Sequence, residues 1–64
     1  MTDQSGAAHS LGMDHSEAES HGEPFTPFYS GREVARALGI TEELTGDEYV
    51  ALRESYNSGR ADYW

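Results

Sequence analysis

Three histidines, His9, His15 and His21, recur at six-residue intervals near the start of the chain, with Met13, Asp14, Glu17 and Glu19 between them. Imidazole nitrogen and carboxylate oxygen together suit zinc, nickel or copper(II). A spacing of six does not bring three side chains onto one helical face, and structural metal sites favour shorter pair spacings. The histidines therefore read as members of a solvated arm, and no metal or other cofactor is expected. Serines lie among them, but a serine–histidine–acid relay needs a rigid frame that such an arm does not offer. There is no glycine-rich phosphate loop and no His-Glu-x-x-His run. The chain reads as non-enzymatic. A second group, Glu42, Glu43, Asp47, Glu48 and Glu54, could present carboxylates along a helix edge, mimicking DNA phosphates or docking on a basic groove. Most of these acids also lie near expected helix starts, where the helix dipole favours them without any partner.

Two stretches resemble known families. Met13-Asp14-His15-Ser16 is similar to the Met-Asp-His-Ser repeats of bacterial copper-resistance proteins, which implies copper binding; the chain carries one copy. Tyr29 to Thr41, Tyr-Ser-Gly-Arg-Glu-Val-Ala-Arg-Ala-Leu-Gly-Ile-Thr, resembles the first helix and turn of MerR-like regulators and phage excisionases. That resemblance implies a helix-turn-helix regulator whose recognition helix follows Thr41 and offers Arg, Lys, Asn or Gln to base edges. Glu42, Glu43, Asp47 and Glu48 stand there instead.

The elements that would position these residues divide at Pro24. Residues 1–23 hold five acids and no base, with Met1, Leu11 and Met13 as their larger apolar side chains, so an acidic disordered arm is expected. Residues 24–29, Pro-Phe-Thr-Pro-Phe-Tyr, form an extended anchor segment: two prolines hold the backbone open and Phe25, Phe28 and Tyr29 project from it. Residues 30–58 predict a helical hairpin. Ser30-Gly31-Arg32-Glu33 and Thr45-Gly46-Asp47-Glu48 are capping boxes, with Tyr29/Val34 and Leu44/Tyr49 at the staple positions. Gly39 is the expected stop of the first helix, with Ile40 set to touch its last turn. The second helix is expected to run to about Asn57 and end near Ser58-Gly59. Val34, Ala35, Ala37 and Leu38 stripe the first helix; Tyr49, Leu52 and Tyr56 stripe the second, with Val50 and Arg53 at its edge. Residues 59–64 read as a polar C-terminal tail closed by Tyr63-Trp64.

Sixty-four residues with twelve acids, four arginines, no lysine and no cysteine carry a formal charge of −8. Disulfide and thiolate chemistry is excluded. The charge argues against direct nucleic-acid binding. No apolar run approaches the ~18 residues of a membrane span, and the start of the chain lacks the apolar stretch of a secretion signal, so a cytoplasmic location is expected. Chains below ~70–80 residues rarely gain more than ~3–5 kcal/mol from a core. The expected fold is thus mainly α: a disordered or extended arm and a short two-helix hairpin without an autonomous core. The expected function is a small acidic accessory subunit or interaction protein that folds on and wraps a larger protein or multi-subunit complex. Its partner-binding candidates are Phe25, Phe28, Tyr29, Val34, Leu38, Leu52, Tyr56 and Trp64. The alternatives are a phage- or plasmid-type inhibitor presenting acids to a nucleic-acid-binding protein, and an atypical helix-turn-helix regulator.

Overall fold

Each helix start after Pro24 follows from four consecutive residues. At Thr45 the hydroxyl accepts from the Glu48 amide at 3.2 Å while the Glu48 carboxylate accepts from the Thr45 amide at 2.9 Å. At Ser30 the hydroxyl accepts from the Glu33 amide at 3.3 Å, but Glu33 reaches one residue further back, to the Tyr29 amide at 3.2 Å. These caps satisfy amides that a helix start otherwise leaves without partners. The computed structural model describes residues 4–63, and in it three helices follow one another: α1 (Gln4–Ser20), α2 (Gly31–Ala37) and α3 (Gly46–Tyr63). The fold is mainly helical, with no strand among the described residues.

The end of α2 follows the expected grammar. Gly39 takes φ +79°, the left-handed conformation that glycine adopts most readily. Its amide donates to the Arg36 carbonyl at 3.1 Å, and the Ile40 amide donates to Ala35 at 3.0 Å. A matching pair closes α1, from Gly22 to Glu19 at 3.1 Å and from Glu23 to Ala18 at 2.8 Å.

Residues 4–20, expected as a disordered or extended arm, are helical. Their large apolar side chains do not gather on one face, so the face that packs is one of small residues. Ala8, Gly12 and Ser16, each four residues on from the last, are buried. Four residues is close to one helical turn, so the three stack in one row. Gly12 lies on the backbone of Tyr56 and Arg60, and Gly59 on the backbone of His9, each closer than any side-chain carbon would allow. Such backbone approach gives many dispersion contacts without bulky side chains. It also explains why α3 passes through Ser58-Gly59, where a stop was expected, and runs to Tyr63. Gly59 is a packing residue, not a cap. Ser16, fully buried, donates to the Arg60 carbonyl in the last turn of α3 at 2.8 Å.

The core is Ala8, Val34, Ala35, Leu52 and Tyr56, with Leu11, Phe28, Leu38, Ile40, Leu44 and Tyr49 packed against it. Both longer helices and α2 contribute, so the core is that of a three-helix unit rather than of an open hairpin. Ala37, expected on the α2 stripe, is exposed. The molecule measures 34 × 19 × 17 Å, a cross-section of about two helix diameters. No helix among the described residues is long and apolar enough to cross a membrane.

Candidate functional site

The segment 24–29 runs back along α3 from its end towards its start. The Arg60 guanidinium lies over the Phe25 ring at 5.1 Å, the Phe28 amide donates to the Tyr56 hydroxyl at 3.3 Å, and Gly31 rests on the Tyr49 peptide. The rings converge on His15 from α1. Its centroid is 5.2 Å from Phe25, 4.9 Å from Phe28 and 5.4 Å from Tyr56, the last edge-on. Tilted and edge-on pairs at these separations are favourable beyond their burial. His15 Nδ1 and the Tyr56 hydroxyl are 2.6 Å apart. Burial pushes the His15 imidazole below its ordinary value, the Arg60 charge acts in the same direction, and Asp14 opposes both. Arg60 is held by Glu19 at 3.1 Å, with its Nη1 buried and without a hydrogen-bond partner among the described residues.

A second polar cluster ties the α2–α3 connection. Arg32 pairs with Glu43 at 3.0 Å and lies 4.7 Å over the Tyr49 ring. The Tyr49 hydroxyl accepts from the Leu44 amide at 3.2 Å and donates to Glu43 at 3.3 Å. An open groove of about 260 Å³ runs beside it, lined in part by Arg36, Ile40, Thr41 and Glu42. Two acids of the expected acidic edge, Glu43 and Glu48, thus have partners within the chain. Eight residues, 38–45, separate α2 from α3, where a helix-turn-helix has a turn of ~3–4. The first turn of α3 carries Asp47 and Glu48.

The candidate partner-binding residues fall into three groups. Val34, Leu52 and Tyr56 are buried in the chain's own core. Phe25, Phe28 and Leu38 are half-buried, each with one side turned inward. Tyr29 stands out at 74 % exposed, although a staple contact with Val34 was expected. Val34 finds its cover on α3 instead, which leaves the tyrosine ring free. Val50 is also exposed, at 55 %. Trp64 lies outside the described residues. The three histidines are apart: His9 bonds Asp62 at 2.6 Å, His15 sits in the aromatic cluster, and His21 is exposed at the turn after α1. Among the described residues no three His, Asp or Glu side chains are placed to share a metal ion.

Sequence reasoning missed the roles of Ala8, Gly12, Ser16 and Gly59. The signal present was the recurrence of small residues every fourth position on α1. Comparison with protein-family models, with curated proteins and with solved structures returns no match to this chain.

Proposed function

We propose that the chain is a small acidic, non-enzymatic accessory subunit or interaction protein of the cytoplasm, which docks on a larger protein and has its marginal fold completed there. The observation that carries this reading is Tyr29. The residue is 74 % exposed while its amide is held by Glu33 at 3.2 Å, and Pro27 stiffens the backbone two residues before it. An aromatic side chain fixed at its base loses little freedom on binding, which is the character of an interface anchor. The half-exposed rings of Phe25 and Phe28 extend the same segment. The charge of −8 speeds encounter with a basic rim. A core of five buried residues leaves stability for a partner to add by mass action.

Capture from a lysate of the chain's own host, with and without ~0.5 M salt, tests it, because such salt shortens screening to a few Å. One protein retained at high salt by the wild type and lost with Tyr29→Ala is expected. Retention that vanishes in salt and ignores Tyr29 overturns the anchor reading and favours the acidic-mimic alternative.

A further inference from the structure

The His15–Tyr56 bond has a direction that the neighbouring groups impose. The Tyr56 hydroxyl is buried, 2 % of the residue being exposed. The Phe28 amide, 3.3 Å away, can only donate to it. The tyrosine oxygen therefore accepts from Phe28, and its own proton points to His15 Nδ1 at 2.6 Å. The oxygen has room for a second donor, but a proton on Nδ1 would leave the buried hydroxyl proton with no acceptor among the described residues, so the arrangement that satisfies every group has Nδ1 unprotonated and the ring hydrogen on Nε2. A proton added to His15 makes Nδ1 a donor. Two donors then face the tyrosine oxygen, and its hydroxyl proton loses its acceptor inside an aromatic cluster.

We propose that His15 is a pH-sensitive latch: neutral, it accepts the Tyr56 proton and holds α1 on α3; protonated, it reverses the bond, loosens α1 and uncovers the Phe25, Phe28 and Tyr56 rings. This goes beyond docking through Tyr29 and does not depend on it. The charges around the latch favour the neutral form on balance. From α3, Arg60 disfavours a second positive charge; from α1, Asp14 favours one more weakly, and Glu19 is engaged with Arg60 at 3.1 Å. The 24–29 segment contributes Phe25 and Phe28, which carry no charge. His9 and Asp62, bonded elsewhere on the α1–α3 seam, serve as the control pair.

His15 lies below its ordinary value of 6.5 in the folded chain. Folded chain then binds this proton less readily than unfolded chain. The stability His15 lends is complete above about pH 6.5 and is lost as pH falls from there through the lowered folded value.

Nitrogen-15 NMR of the free chain, with amide exchange from pH 7.5 to 5, tests the latch. At pH 7.5, Nδ1 of His15 should be unprotonated. Protection of residues 8–20 should be lost progressively from about pH 6.5 towards pH 5, because the opened chain takes up the His15 proton more readily than the closed one. His15→Gln, whose amide oxygen can still accept, should flatten that dependence; His9→Gln should leave it. A protonated Nδ1 at pH 7.5 overturns the latch, as does an unprotected α1 at that pH or a pH dependence that persists in His15→Gln. Should His15→Gln fail to fold, the wild-type tautomer and titration decide alone.

Discussion

Removing the Thr45 hydroxyl takes the acceptor from the Glu48 amide, and removing the Ser30 hydroxyl takes it from Glu33. Ser30→Ala and Thr45→Ala should each lower stability by ~0.5–2 kcal/mol, read as a displacement of the urea midpoint. Ser30 also donates to the Glu33 carboxylate at 3.2 Å, so its loss frees the side chain that holds the Tyr29 amide. Both caps were legible in the sequence because every partner lies within four residues. Tyr56 was not. Its spacing marked it as apolar-facing, which suited a partner interface equally well. Its hydroxyl is bonded to His15, 41 residues away in sequence, and nothing local in either segment announces that pairing.

Helix α1 is the element that the sequence concealed. An amphipathic helix shows itself by large apolar residues at helical spacing, and α1 has a row of small ones instead. Their use depends on Gly59 in α3, and neither row has meaning alone. The element is most open to test at its glycines. A Cβ at Gly12 would strike the backbone of Tyr56 and Arg60, and one at Gly59 the backbone of His9, whereas one at Gly6 meets nothing within 4 Å. Backbone cannot rotate aside as a side chain does. Gly12→Ala and Gly59→Ala should therefore each cost ~1–3 kcal/mol or more, even though alanine favours a helix. Gly6→Ala, on the same helix as Gly12, should be neutral or stabilising by up to ~1 kcal/mol. Thermal unfolding of the three variants side by side separates steric loss from propensity. Equal destabilisation at all three positions would contradict the backbone contact.

At the scale of the whole molecule, docking of α1 sets which aromatic rings remain for a partner. With α1 in place, Tyr56 is core and Tyr29 is surface. Tyr29→Ala should cost more than ~1 kcal/mol of partner binding while leaving the melting temperature of the free chain nearly unchanged. Phe28→Ala should lower both, because that ring packs on His15 at 4.9 Å and on Tyr56 at 5.3 Å. Residues 1–23 were expected to be an acidic disordered arm; deletion of residues 4–20 should instead abolish the fold, since α1 supplies Ala8 to the core and His15 to the hydroxyl of Tyr56. The most direct measurement is nuclear Overhauser spectroscopy on the free chain at pH 7.5, observing the Gly12 α-protons. Cross-peaks to the backbone of Tyr56 and Arg60, with helical chemical shifts through residues 4–20, are the result expected. Random-coil chemical shifts in that segment, with no cross-peak from Gly12 to α3, would contradict it.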